Sequence, residues 1–178
     1  MKLSLCLAVG LLFAASTAFA GVGVGTVETG GGVDLHLSPE PWSVDAQAHV
    51  IYYFAPMLGV GPYLNLYKQG EVDGSSYPTV YGIGALGKLY FPMSYKDGKL
   101  MPFVMAGFGI ATLVGDYDPV DDEWTTENKA HFMMRLGFDY WLTENWTVWT
   151  GYQGDKMFVD GYDFQHSIKL GISTFITK

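Results

Sequence analysis

From position 22 onward, hydrophobic and polar residues alternate almost one for one. Over 130–142, Phe132, Met134, Leu136, Phe138 and Tyr140 take one parity; His131, Met133, Arg135, Gly137 and Asp139 take the other. Over 42–54, Val44, Ala46, Ala48, Val50, Tyr52 and Phe54 oppose Ser43, Asp45, Gln47 and His49. Over 164–176, Ile168, Leu170, Ile172, Thr174 and Ile176 oppose Ser167, Lys169, Gly171 and Ser173. Successive side chains on a strand point to opposite faces, so each stretch predicts a two-faced β-strand. Turn-rich pieces divide the chain into eight such stretches, at about 22–37, 42–54, 58–68, 79–91, 101–113, 130–142, 146–156 and 164–176. No helical period appears among them. No apolar run after Ala20 is long enough for a membrane-spanning helix.

The connections separate two ends. Ala55-Pro56-Met57, Ser94 to Lys99 and Thr143-Glu144-Asn145 are short, whereas 69–78, 114–129 and 157–163 are longer and rich in Asp, Gly, Ser and Pro. Short turns on one rim and long loops on the other are the layout of a bacterial barrel with its short turns in the periplasm. Charge placement agrees, because Asp45, Lys88, Arg135, Asp139, Asp155 and Lys169 all fall on the polar parity. None would meet lipid, where Arg or Lys at mid-bilayer costs about 2–4 kcal/mol. A soluble β-sandwich also alternates, but the apolar parity here is too extensive for one small core. Aromatics gather toward the short turns (Phe54, Phe91, Phe103, Tyr140, Trp146, Phe175). A second group lies toward the long loops (Trp42, Tyr67, Tyr81, Phe132, Phe158, Phe164), as two interface belts would. The expected fold is all-β: an eight-stranded antiparallel up-and-down transmembrane β-barrel. In its first strand we expect Val27, Val33, Leu35 and Leu37 outward, with Glu28, Asp34 and His36 in the lumen. The fifth strand is apolar on both parities, so its faces stay unassigned.

Composition sharpens this picture. The 178 residues carry a net charge of −8, with only 16% charged and 49% hydrophobic. That excludes a disordered chain. Ten Lys and Arg against eighteen Asp and Glu disfavour nucleic acid as a partner. Lys2, an apolar stretch from Leu3 to Ala15 and the ending Ala18-Phe19-Ala20 form a secretory signal, with cleavage expected between Ala20 and Gly21. The single cysteine, Cys6, leaves with it, so no disulfide or thiolate metal site is expected. Residues 21–178 then form one barrel domain. No periplasmic wall-binding domain is expected.

The signal ending, the eight strands and the final strand Lys169-Leu170-Gly171-Ile172-Ser173-Thr174-Phe175-Ile176 resemble the small outer-membrane β-barrel family, which includes the OmpA transmembrane domain and the OmpX and OmpW types. The last strand is similar to that family's assembly signal, although the chain continues past Phe175 to Ile176-Thr177-Lys178. The resemblance implies a monomer in a Gram-negative outer membrane, among membrane lipid and lipopolysaccharide, inserted by the outer-membrane assembly machinery. The OmpW type also implies a narrow path for small or hydrophobic compounds.

Candidate chemistry lies in two places. An eight-stranded barrel is just wide enough for side chains to fill it. Glu28, Asp45, Lys88, Arg135, Asp139, Gln153, Asp155 and Lys169 are therefore expected to form an internal polar network centred on Lys169 and Arg135. Within it, Asp155, Lys169 and Glu28 are expected as adjacent charge pairs on neighbouring strands. Its bland role is mutual satisfaction of buried polar groups; its functional role is a gate for ions or small solutes. The second place is the loop holding Asp116, Asp118, Asp121, Asp122, Glu123 and Glu127. Six acids suit a hard cation in principle, but the spacing lacks the order of a calcium loop, so a solvated acidic surface is expected and no metal. Exposed loop aromatics could meet a surface ligand or host protein. His166-Ser167 are adjacent and point apart, and no other His has a Ser two positions away on a strand, so neither an enzyme nor a cofactor is expected. The expected function is structural or surface-interacting; the alternatives are a narrow channel and, less favoured, a lipid-modifying enzyme.

Overall fold

A computed structural model describes residues 22–36, 43–69, 79–91, 99–118, 123–158 and 164–177. The expected cleavage residues Ala18, Ala20 and Gly21, and Asp121 and Asp122, lie outside them. Eight antiparallel strands close into one barrel in sequence order: β1 (Val27–His36), β2 (Ser43–Ala55), β3 (Leu58–Gln69), β4 (Thr79–Tyr90), β5 (Leu100–Asp118), β6 (Glu123–Trp141), β7 (Trp146–Met157) and β8 (Gln165–Ile176). β1 pairs with both β2 and β8, which removes every free edge.

One parity lines the outer wall with exposed Val, Leu, Ile, Phe and Tyr. The other parity is largely buried and carries most of the charges. β6 states the rule in two consecutive residues: Arg135 is fully buried and Leu136 is 52% exposed. We therefore expect Leu136→Arg to lower stability in lipid vesicles by about 2–4 kcal/mol. Equilibrium urea unfolding would measure it, and an unchanged midpoint would mean that this wall does not face hydrocarbon. The same parity turns Glu28 inward and Val33 outward on β1. It also assigns β5, with Met101, Phe103 and Met105 inside and Phe108 and Ile110 outside.

Four expectations change. The first strand starts at Val27 rather than Val22, because Gly25 (φ +88°) turns the chain beneath the barrel, where Val22 is buried. β5 and β6 run much further than expected, pairing Tyr117 with Trp124 and Asp118 with Glu123. Asp116, Asp118, Glu123 and Glu127 thus lie on a protruding hairpin and not in an irregular loop, since Val114, Tyr117, Trp124, Thr125 and Thr126 all favour strand. Phe103 and Phe175 are buried inside the lumen, so they do not belong to the interface belt; their parity matches the lumen residues Met105 and Ser173. Tyr67 likewise lines the lumen, on the parity of Tyr63 and Asn65.

Close approach explains particular glycines. The indole of Trp149 lies across Gly32 and Gly171, and a methyl group on Gly171 would collide with that ring and with the Gly31 carbonyl. At the rim of short turns, Met57 holds a left-handed φ of 64°, a strained value for a side chain. Its backbone is held on both sides: Met57 N–H donates to the Val22 carbonyl and the Met57 carbonyl accepts from Tyr90 N–H. The 142–145 turn closes on Thr143, whose Oγ1 accepts from the Asn145 and Trp146 amides.

Candidate functional site: the lumen network

Three polar layers cross the barrel. The lowest is built on Lys88 of β4, whose Nζ lies 2.8 Å from Glu28 Oε1 on β1 and 2.9 Å from Asp139 Oδ2 on β6. Tyr53 OH donates to Glu28 Oε2 at 2.5 Å, and His49 Nε2 sits 3.1 Å from Oε1. Tyr90 OH and Thr147 Oγ1 donate to the two oxygens of Asp139 at 2.6 and 3.0 Å. The ammonium also lies 4.6 and 4.5 Å from the ring centroids of Tyr90 and Phe103, within cation–π range. Two buried carboxylates are thereby matched by one cation and four further donor groups. Trp141 and Phe175, with centroids 4.5 Å apart, belong to the same buried apolar cluster.

Arg135 forms the middle layer. Its Nε donates to Gln153 Oε1 at 2.9 Å, and its Nη2 reaches both Gln153 Oε1 and Gln47 Oε1 across the barrel. The guanidinium carbon lies 4.5 Å from the Trp149 ring. Above it, Gln153 Nε2 donates to Asp155 Oδ2 at 2.7 Å, and His131 bridges Asp155 Oδ1 (3.2 Å) and Tyr63 OH (3.1 Å). Lys169 Nζ pairs with Asp45 Oδ2. A cavity of about 30 Å³, lined by Asp45, Asn65, Tyr67, His131, Asp155 and Gln165 among others, remains near the upper mouth. That is room for about one water molecule.

The partners differ from those expected. Asp155, Lys169 and Glu28 do not form adjacent pairs. Asp155 faces Gln165, four residues along β8 from Lys169, and Glu28 faces Phe175, six residues the other way. At about 3.3 Å per residue the three are separated along the barrel axis. The β1–β8 register, extended one residue past Val33–Leu170, sets Lys169 opposite Asp34, whose β2 partner is Asp45. Lys169 therefore reaches Asp45 over β1. The network also has its densest ionic contacts around Lys88, and not around Lys169.

The sequence reading missed Tyr53, Tyr90, His131 and Trp149 as members. Parity was the available signal: Tyr53 follows Asp45, Gln47 and His49 at steps of two, and Tyr90 follows Lys88. Within these layers four carboxylates (Glu28, Asp45, Asp139, Asp155) meet three cations (Lys88, Arg135, Lys169), and each of the four is held by one of those cations or by a histidine. Ser173 and His49 converge over Gly30, where a methyl group would strike both. No hydrogen bond joins them among the described residues. Glu127 and Lys129 form an ion pair on the exposed hairpin, away from the lumen layers. Among the described residues no group of three or more His, Cys, Asp or Glu is arranged to hold a metal.

A closed eight-stranded wall, apolar outside and polar inside, defines the chain as a small transmembrane β-barrel protein. It belongs to the family described as "Putative MetA-pathway of phenol degradation", which matches residues 12–170. No curated protein matches the chain. Among solved structures it is similar to the N-terminal β-barrel domain of Pseudomonas aeruginosa OprF (15% identity, TM-score 0.58, covering 86% of this chain and 99% of that one). The Neisserial surface protein A gives 14% identity and a TM-score of 0.59, covering 86% and 96%. The outer membrane protein OprG of Pseudomonas aeruginosa gives 13% and 0.50, covering 90% and 100%. What these share with the chain is the fold.

Proposed function

We propose that the protein sits in the outer membrane of a Gram-negative bacterium as a closed barrel. In this reading it works by the surface that it presents and not by conducting solutes. Both termini and the short turns face the periplasm, the chain is a monomer inserted by the outer-membrane assembly machinery, and it carries no catalytic activity. The observation that carries this reading is Arg135: fully buried and tied to opposite sides of the lumen through Gln47 and Gln153. A buried polar network of this kind is costly to open, because each separated group would need a new partner. Purified barrel in planar bilayers is expected to give no discrete conductance steps at neutral pH. Regular steps from the unmodified protein would overturn the closed-barrel reading.

A second reading is favoured by the family description, which points to phenol degradation. Here the barrel would handle small phenolic compounds at the outer membrane. The lumen cavity of about 30 Å³ is too small for a phenol ring, so the Arg135 layer would have to move. Equilibrium dialysis of labelled phenol against the folded barrel tests this. Saturable binding lost in Arg135→Ala would support it, and non-saturable partition equal to that of empty micelles would reject it.

A further inference from the structure

The β5–β6 hairpin carries a strand edge that the barrel does not use. β7 ends at Met157, and just beyond it Phe158 N–H donates to the Ala130 carbonyl at 2.9 Å. Above Ala130, β6 runs a further seven residues to Glu123, paired with β5 on one side. Among the described residues no strand pairs with its other side. Only five residues join Phe158 to Phe164, a reach of about 10 Å out and back, against about 23 Å for the edge. The aim of the edge's main-chain groups follows from Ala130, whose carbonyl turns toward β7. At steps of two, Asn128, Thr126 and Trp124 turn their N–H and C=O groups the same way. The Thr112 Oγ1 bond to Asn128 Oδ1 agrees, because side chains approach closest across pairs that exchange no backbone bonds.

Charge adds a second observation. The connections at the long-loop rim, 37–42, 69–78, 114–129 and 157–163, hold eleven of the chain's eighteen Asp and Glu. They hold one of its ten Lys and Arg. That one, Lys129, is already paired with Glu127 on the hairpin. An unpaired edge is a template for any extended chain, and side-chain charge decides which chain is accepted. Two copies of this hairpin would set carboxylates against carboxylates, which disfavours pairing with itself. A strand bearing Lys or Arg meets opposite charge instead, and the field of the rim steers it inward.

We propose that the free edge of β6, from Trp124 to Asn128, binds an extended Lys- and Arg-rich polypeptide segment by adding it as a strand. Its backbone pairs with Thr126 and Asn128, and its cationic side chains face the carboxylates of the hairpin. The inference rests on the surface-presenting reading above and names the partner of that surface. Its test reads peptide binding and not conductance: a silent barrel that ignores the peptide refutes this site alone. The probe is a fluorescent peptide of about ten residues alternating threonine and lysine, titrated by anisotropy into the folded barrel in zwitterionic micelles. Saturable binding is expected, and it weakens as salt is raised. The same peptide N-methylated at every amide keeps its charge, lacks backbone donors and should not bind. Thr126→Pro removes one edge donor and spares the β5 ladder, because that N–H faces away from β5. It is expected to weaken binding by about 5- to 10-fold, as the loss of one hydrogen bond does. Glu123→Gln with Glu127→Gln is expected to weaken it by about 5-fold at low salt. Ala106→Leu, on the outer wall of β5, leaves it unchanged. A heat-sensitive mobility shift on gels verifies that each variant is folded. Equal binding of the N-methylated peptide would overturn strand addition, as would wild-type affinity in Thr126→Pro. Equal binding of a threonine–glutamate peptide, or binding matched by empty micelles, would overturn the site. So would a dimer of the barrel that Thr126→Pro abolishes, by giving the edge to a second copy of the chain.

Discussion

Replacing Lys88 with Met is expected to cost about 3–5 kcal/mol of barrel stability, the penalty for leaving buried charge without its partner. Lys88 is 1% exposed, and it is the cation within 3 Å of both Glu28 and Asp139. Methionine fills a similar volume, so the loss reports charge and not a cavity. Restoring neutrality should restore most of the stability: Lys88→Met combined with Glu28→Gln and Asp139→Asn leaves Tyr53, Tyr90 and Thr147 with hydrogen-bond acceptors still in place. By contrast, Lys129→Met removes an ion pair on the exposed hairpin and should change stability by about 0–1 kcal/mol. Urea unfolding in lipid vesicles, followed by tryptophan fluorescence, measures all three. If Lys88→Met unfolds at the wild-type midpoint, the lowest layer is not the electrostatic anchor of the barrel.

That contrast also marks what was legible in the sequence. Period-two alternation carries the inside–outside assignment, because lipid and a packed lumen impose opposite demands on neighbouring residues. It placed Arg135 inside and Leu136 outside without any knowledge of partners. It did not carry the pairing of lumen charges, which depends on the stagger between strands. Lys169 meets Asp45 because β1 is offset against both neighbours, and nothing local to either residue encodes that offset. Aromatic type misled where parity was the better guide: Phe175 and Phe103 resemble belt residues in composition but share the parity of Ser173 and Met105. The length of the β5–β6 hairpin is hidden because its acidic residues read as loop, although Tyr117 and Trp124 still pair as strand.

The second large effect follows from the layers standing in series. A path through the lumen must pass both the Arg135 layer and the Lys88 layer, and resistances in series add, so the tighter constriction governs the current. Arg135→Ala removes hydrogen bonds to two glutamines and a cation–π contact with Trp149, a loss on the order of 3 kcal/mol. It widens only the middle of the barrel, and its conductance should remain at the wild-type baseline. Opening is expected when the lower layer is removed as well, in a background that stays folded. Lys88→Ala with Glu28→Gln and Asp139→Asn supplies that background, and adding Arg135→Ala to it should produce discrete single-channel steps in planar bilayers. Steps from Arg135→Ala alone would mean that the Lys88 layer is no seal. Silence from the folded quadruple variant would move the seal to the upper layer of His131, Asp155, Lys169 and Asp45, or to the buried aromatic pair Trp141 and Phe175, whose ring centroids lie 4.5 Å apart.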